Sequence, residues 1–202
     1  INKHILSLKN NLIAGFNLSC VGDKGPFSLI SSINENTYAD KIANRVLKKH
    51  GYFKKFSFTD RGSNERQFGC QNLDLPFVTI CKTRFGDYKE YHTSDDNLKI
   101  INEKNLRKST KCILQIIQEI QKNRIYTKQV LCEPFLTKYK LIHLIGGPKV
   151  KNEIENQIQN IIAYVGKDYD VQELSEKLKI NKKRLNFILN LIKKKKIVKE
   201  YL

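Results

Sequence analysis

The chain carries the near-continuous apolar run LIAGFNLSCVG at residues 12–22. Such runs are typical of strands that are buried on both faces, as in α/β sheets. Residues 37–50 have apolar side chains at helical spacing, between Asn36 as a candidate cap and Gly51 as a candidate end. Residues 52–58 then alternate polar and aromatic side chains, as strands do. Strand, helix and strand in succession predict a βαβ unit and a sheet that is at least partly parallel.

Two further predicted elements continue this α/β layout. Residues 75–81 (LPFVTIC) form a short apolar strand, and residues 105–124 have the apolar periodicity of an amphipathic helix. The polar segments 59–68 and 82–96 each follow a predicted strand. Folds of this class place their active sites in loops at strand ends. We therefore expect the functional residues in these two segments.

A second, smaller domain is predicted at the carboxyl-terminal end. Gly146, Gly147 and Pro148 interrupt the pattern, so we place the boundary between residues 1–147 and residues 148–202. The second segment contains three amphipathic stretches and a final apolar stretch. Helix, helix, tight turn, helix and strand is the winged-helix order. A wing needs two strands, however, and the pattern predicts only one.

Composition and charge limit the classes of partner. Of the 202 residues, 40% are hydrophobic, which is enough for a folded core, and the formal net charge is +17. Residues 151–202 carry a net charge of +5 and the other 150 residues carry +12, at nearly the same density. A nucleic-acid footprint should be concentrated, so this even spread does not favour nucleic acid as a partner. No run of about 18 apolar residues is present, so no membrane span is expected.

The cysteines and the first residue indicate the compartment and the extent of the chain. The five cysteines are widely spaced and include no Cys-x-x-Cys pair. This usage fits reduced thiols of a cytoplasmic protein better than a disulfide framework or a zinc cluster. No signal peptide is recognisable, and the chain begins with Ile1 and contains no methionine. We therefore expect a piece of a longer protein.

The segment EYHTSDD, residues 90–96, holds the main candidate for chemistry, His92. Histidine is a frequent ligand of transition metals, and a carboxylate on its second nitrogen would orient the ring. One histidine cannot hold a metal, because a catalytic zinc needs about three protein ligands. The alternative interpretation is a surface-loop histidine whose neighbour Ser94 or Asp95 caps a short helix.

The polar loop at residues 61–68 is the second candidate. Its side chains that could orient a substrate amine or carboxylate are Arg61, Asn64, Glu65 and Arg66. The alternative interpretation is a solvated turn that is held by local ion pairs.

Taken together, the two loops resemble a known family. Tyr91-His92-Thr93-Ser94-Asp95-Asp96 resembles the YHT…D motif of zinc-dependent aminopeptidases of the glutaminyl-cyclase-like, bacterial leucyl aminopeptidase type. Residues 62–68 with residues 74–76 resemble the S-D-x-x-x-F…G-I-P segment of these enzymes, and residues 17–22 resemble their N-L-D-M-x-G strand. The segments GSNERQF, EYHTSDD and LCEP are similar to a bacterial group in which this domain precedes a winged helix. Members of that group are often associated with surface-polysaccharide biosynthesis.

The resemblance implies a fold and a metal site. The implied fold is the carboxyl-terminal portion of a three-layer aminopeptidase-like sandwich, with a mixed and mostly parallel sheet, followed by a small all-α winged-helix domain. His92 stands where the family has its last metal ligand, so it would bind one zinc ion with ligands that precede Ile1. Ser19 and Asn64 stand where the family has aspartates, which makes a two-zinc site less expected. This segment by itself is not expected to hold zinc or to hydrolyse peptides.

Three hypotheses about function follow. The first is a zinc-dependent aminopeptidase-like hydrolase that acts on a peptide or an amine-bearing small substrate. The second is a non-catalytic, degenerate hydrolase scaffold whose winged helix binds a protein partner. The third is a nucleic-acid-binding regulator that uses residues 182–186.

Overall fold

The computed structural model describes residues 2–70, 72–141, 153–166 and 169–201. The chain divides into two compact units, Ile1–Ile120 and Gln121–Leu202, called unit 1 and unit 2 below. The domain boundary that we predict at Gly147 lies outside the described residues, so it stays a prediction.

Unit 1 combines one sheet with helices. The strands are β1 (Gly15–Leu18), β2 (Phe27–Ile30), β3 (Phe53–Phe56) and β4 (Phe77–Cys81). The helices are α1 (Ile5–Asn11), α2 (Tyr38–Lys49), α3 (Glu65–Phe68) and α4 (Glu103–Lys122), with short 3-10 helices at Asn2–His4 and Phe58–Asp60.

The sheet of unit 1 is mixed, with the strand order β1-β4-β2-β3. The pairs β1/β4 and β2/β3 are parallel, and β2/β4 is antiparallel. An α/β fold with a mixed and mostly parallel sheet is therefore confirmed. The prediction that residues 12–22 form the first strand of the βαβ unit is wrong. That strand is β2, which precedes α2 and pairs with β3, whereas residues 12–22 contain only β1. Because β1 lies at the edge of this sheet, Leu18 remains 45% exposed, and burial on both faces is wrong for this strand.

Local side-chain chemistry sets the ends of α2. The hydroxyl of Thr37 accepts a hydrogen bond from the Asp40 N–H, and the Asp40 carboxylate accepts one from the Thr37 N–H. This reciprocal capping box makes Thr37 the cap, so the prediction of Asn36 is wrong by one residue. Gly51, with φ of +100°, follows the helix as predicted.

The two faces of the sheet have different coverings. Strand alternation places Leu29, Val78 and Ile80 on one face, where they share a hydrophobic core with α2 and α4. The other face presents Asn17 and Thr79, which are direct partners in the β1/β4 register. The loop that contains α3 contacts these two side chains.

Unit 2 is a small helical core closed by two strands. Its elements are β5 (Tyr126–Lys128), α5 (Glu153–Tyr164), α6 (Val171–Leu178), α7 (Lys182–Lys194) and β6 (Val198–Glu200), with a 3-10 helix at Leu136–Tyr139. Three helices and a final strand are present as predicted, and Asp170 and Glu173 form a capping box at α6. The second strand was missed, because β5 precedes the helices and pairs with β6 in antiparallel fashion. The winged-helix assignment itself stays a prediction.

Two predicted absences can be compared with the structure. All five cysteines are free thiols in the structure. No helix within the described ranges combines the length and the apolar character that crossing a bilayer requires.

Candidate functional site

Glu65 is the centre of the loop that follows β3. Its side chain is fully buried, and its Oε1 accepts hydrogen bonds from the backbone N–H groups of Gly62 (2.8 Å) and Ser63 (2.9 Å). Its Oε2 accepts hydrogen bonds from Thr79 Oγ1 (2.7 Å) and Asn17 Nδ2 (3.1 Å). One carboxylate therefore joins the loop at residues 61–68 to both β1 and β4.

The protonation state of Glu65 agrees with this role. Burial acts to raise the pKa of the carboxyl group, and hydrogen bonds from Ser63, Thr79 and Gly62 act to lower it. The hydrogen bonds prevail, so the pKa lies below its ordinary value. Glu65 is therefore ionised at neutral pH and positions the loop. Because both of its oxygens already have partners in the chain, it does not face a substrate.

The structure brings the two polar loops together, although β2 separates the strands β3 and β4 that precede them. Arg84 Nη1 donates to Asp60 Oδ1 at 2.7 Å, and Arg84 Nη2 donates to Asp87 Oδ1 at 2.7 Å. Gly62 lies so close to the Phe85 ring that a Cβ at this position would be 2.3 Å from Cε2. The absence of a side chain at Gly62 therefore permits this contact between the loops.

His92 lies on the exposed side of this pair of loops. Its backbone has a φ of +58°, which non-glycine residues adopt rarely. Its ring stacks on Tyr91, with centroids 4.1 Å apart, and Tyr91 packs edge-on against Tyr88 at 5.5 Å. Among the described residues no hydrogen bond reaches the His92 ring, so the orienting carboxylate that we expected is not seen there.

Tyr88 joins the His92 loop to the end of β1. Its hydroxyl lies 3.5 Å from Cys20 Sγ and donates to Asp96 Oδ2 at 3.4 Å. Burial, together with these two neighbours, raises the pKa of Tyr88. Cys20 in turn lies 3.6 Å from the Ser19 hydroxyl, where the resemblance places an aspartate ligand. The loop is therefore anchored beside Ser19, the position at which the resemblance implies a metal ligand.

The remaining predicted substrate residues lie on the surface of the first loop. Arg61, Asn64 and Arg66 are exposed. The Arg61 guanidinium lies over the Phe58 ring, 5.0 Å from its centroid. Asn64 precedes α3 without a capping hydrogen bond from its side chain. These side chains are accessible to a ligand, whereas Glu65 between them is not.

A zinc site cannot be assembled from these residues alone. Within the described part of the chain, no group of three histidine, cysteine, aspartate or glutamate side chains is placed to hold a metal ion. The His92 ring stacks on an aromatic neighbour, and the Ser19 hydroxyl is a poor substitute for a carboxylate ligand. The residues that the structure describes therefore do not form a complete zinc site.

Pattern reasoning missed the residues that hold the two loops in place. These are Asn17, Thr79, Tyr88, Cys20, Asp60 and Arg84. Asn17 and Thr79 were detectable in part, because each is a polar side chain inside an apolar strand. A buried polar side chain in a strand needs a partner.

The comparisons with known proteins agree on the kind of domain. The family model described as "Domain of unknown function (DUF4910)" matches residues 1–123. A protein of Clostridium acetobutylicum carries the provisional name "polysaccharide biosynthesis protein with aminopeptidase-like domain" and is 34% identical over 139 residues. A crystal structure of a protein from the same organism, provisionally described as a peptidase, is similar with a TM-score of 0.60 and 25% identity.

The chain is shorter than both relatives. The match to the first relative covers 68% of this chain and 32% of that protein. The match to the solved structure covers 95% of this chain and 43% of the other.

Proposed function

This chain belongs, through residues 1–123, to the DUF4910 family, whose description names no function, and we propose that it is part of an aminopeptidase-like hydrolase linked to polysaccharide biosynthesis. The similarity to a protein named for both properties carries this proposal. The solved structure of similar fold, described as a peptidase, supports it. In a protein as long as these relatives, the sheet of unit 1 would be the middle layer of a three-layer sandwich, and unit 2 would be a winged helix.

The arrangement of the two loops supports a hydrolase site in this region. Glu65 joins the first loop to β1 and β4, Arg84 joins the two loops to each other, and His92 is exposed on the second loop. We propose that His92 is one ligand of a single zinc ion whose other ligands come from elsewhere in the longer protein. Zinc in such sites polarises a carbonyl and activates water. Arg61, Asn64 and Arg66 would orient a peptide or an amine-bearing small substrate.

We expect His92→Ala to lower the zinc content of the full-length protein by about tenfold or more, because loss of one ligand leaves too few to retain the ion. Elemental analysis of protein purified without chelators measures the zinc-to-protein ratio. His4→Ala is the matched control, since His4 is an exposed histidine outside both loops. Equal zinc content in wild type and His92→Ala would exclude the ligand role, and metal-free wild type would favour the non-catalytic scaffold.

Unit 2 favours a second candidate function, the binding of duplex DNA. Residues 177–199 contain ten lysine or arginine residues and no aspartate or glutamate. The even charge density found over longer segments concealed this concentration. A surface of this kind supplies phosphate contacts, which dominate nucleic-acid affinity.

Helix α7 presents much of this charge on its solvent-exposed side. Its buried residues are Leu185, Ile188, Leu189 and Ile192. The exposed side carries Lys182, Lys183, Arg184, Asn186, Phe187, Asn190, Lys193 and Lys194. A single helix fits the major groove of DNA, where asparagine amides can pair with adenine. Cations at both ends of α7 with amides between them would suit this mode of binding.

Replacing Lys182, Lys183 and Lys194 with glutamine is expected to weaken DNA binding by the whole chain. The slope of log Kd against log salt concentration should fall by about 2 to 3, because each phosphate contact contributes about 0.9. Fluorescence anisotropy with a labelled duplex at several salt concentrations measures both quantities.

The control for DNA binding is a triple variant with the same change in charge on α4 and the segment just before it. Lys99, Lys104 and Lys111 are exposed and belong to unit 1, so their replacement by glutamine should leave the slope nearly unchanged. Equal losses in the two triple variants would show nonspecific attraction by net charge. Absence of DNA binding at low salt would exclude the DNA-binding function and would favour the hypothesis that unit 2 binds a protein partner.

A further inference from the structure

Lys82 is a buried lysine without a partner for its charge among the described residues. It follows β4 directly and is 2% exposed. Its Nζ lies over the Phe27 ring, 4.5 Å from the centroid. Within the described ranges, no hydrogen bond or ion pair reaches this ammonium group. A buried ammonium normally has a counter-charge or hydrogen-bond acceptors, and the π face of one phenylalanine provides neither.

A second ammonium group shares the same ring. Lys108 on α4 is exposed, and its Nζ lies 5.8 Å from the Phe27 centroid. Burial, followed by repulsion from Lys108, lowers the pKa of Lys82. The two positive charges are therefore close enough to interact, and both belong to the same unit.

One carboxylate acts on Lys82 through its charge, but its oxygens accept hydrogen bonds from other residues. Asp23 is the carboxylate whose charge reaches Lys82. Its Oδ1 accepts hydrogen bonds from the Gly25 N–H (2.6 Å) and Thr83 Oγ1 (2.7 Å), and its Oδ2 accepts one from the Thr83 N–H (3.0 Å). Asp23 is thus committed to the turn before β2 and the loop after β4.

The other neighbours of the Phe27 ring add no negative charge. The His50 ring lies edge-on to Phe27 with centroids 5.7 Å apart, and its Nε2 lies 2.5 Å from Gln115 Oε1. Cys112 is buried in the same core, and burial raises the pKa of its thiol to about 11, so it is neutral. Lys82 Nζ has no hydrogen-bond partner among the described residues, but these residues do not enclose it completely. Its charged end therefore retains access to solvent.

We propose that Lys82 and Lys108 form a binding site for a phosphate group, between the end of β4 and α4. Two ammonium groups that are opposed only by the charge of Asp23, and of which Lys82 has no hydrogen bond or ion pair among the described residues, suit a dianion better than a carboxylate. Lys82 is held in place by the β4 backbone and the Phe27 ring, and Lys108 on the surface can close over the bound group. The ligand class is a phosphate monoester or an inorganic phosphate ion. Binding of phosphate by these two lysines does not depend on a metal.

The test is thermal unfolding of the full chain with increasing inorganic phosphate, at a constant ionic strength set by sodium chloride. Wild type is expected to gain about 5 °C in Tm when phosphate exceeds its Kd about a hundredfold. Lys82→Met should retain or raise the Tm without phosphate, because it removes a buried unpaired charge, and should lose the phosphate-dependent gain. Lys108→Gln should leave the Tm unchanged and weaken phosphate binding about tenfold.

Lys111→Gln is the control, since Lys111 is an exposed lysine on the same helix and should retain the full gain. A gain in Lys82→Met equal to that of wild type would place the phosphate elsewhere, for example on α7, and would overturn the proposal. The proposal is also overturned if wild type shows no gain, or if sodium acetate produces a gain as large as that of phosphate. Should Lys82→Met fail to fold, the comparison of Lys108→Gln with Lys111→Gln decides.

Discussion

Replacement of Glu65 by alanine is expected to lower the free energy of unfolding by about 4 kcal/mol at neutral pH. The substitution leaves the Gly62 and Ser63 N–H groups without their acceptor. It also removes the carboxylate oxygen to which Thr79 and Asn17 donate. Glu65→Gln should lower the free energy of unfolding by about half as much, because the Thr79 hydroxyl and the Asn17 amide can reorient toward the neutral glutamine side chain. Urea denaturation followed by circular dichroism measures both differences.

The cost of losing Glu65 should depend on pH in a defined direction. The pKa of Glu65 is lowered in the folded state, so its carboxylate stabilises the fold fully above the ordinary glutamate pKa of about 4.3. That contribution is lost as the pH falls through the lowered folded-state value. The difference in the free energy of unfolding between wild type and Glu65→Gln should therefore be constant from about pH 8 to pH 5 and should become smaller below about pH 4.

A surface glutamate provides the comparison for Glu65. Glu103 forms an exposed ion pair with Arg107 on α4, so Glu103→Gln should change the unfolding free energy by less than about 0.5 kcal/mol. A cost for Glu65→Ala as small as that of Glu103→Gln would contradict the anchoring role.

Replacement of Ile188 by alanine is expected to destabilise unit 2 by about 3 kcal/mol. Ile188 is fully buried on α7, in the core that also contains Leu174 and Val198, and its truncation leaves a cavity. Phe187 is the adjacent residue on the same helix but is 56% exposed. Phe187→Ala should therefore cost less than about 1 kcal/mol. Urea denaturation of both variants tests the orientation of α7, and a larger loss in Phe187→Ala would contradict it.

The parts of the fold that could be predicted from the sequence are those that local chemistry determines. The helix α2 has a complete apolar stripe, a capping box and a terminal glycine, so its pattern is visible without its partners. The strand β2 was missed because all four of its residues are buried, and so short an apolar run has no periodicity to identify it. The strand β5 has three residues, and its pairing depends on a segment far along the chain.

The sequence indicates which polar segments to consider, but not the roles of their residues. The positions of the segments 61–68 and 82–96 after predicted strands did not predict their contact, because β3 and β4 are not adjacent in the sheet. Glu65 was predicted to face a substrate, since sequence pattern does not distinguish a buried loop carboxylate from an exposed one. Lys82 similarly occupies the first position of a polar segment, and only the packing of Phe27 and the surrounding chain buries it. Such roles arise from tertiary contacts between residues distant in sequence.

The pairing of β5 with β6 constrains the order of events during synthesis of the protein. The two strands flank the three helices of unit 2, and Tyr126, Ile197 and Val198 complete its core. While the ribosome is still translating α7, that core lacks its last strand and its apolar side chains remain open to other chains. Unit 2 therefore closes only after Val198–Glu200 has left the exit tunnel. A pause in translation before that point would prolong the period in which the helices can associate wrongly.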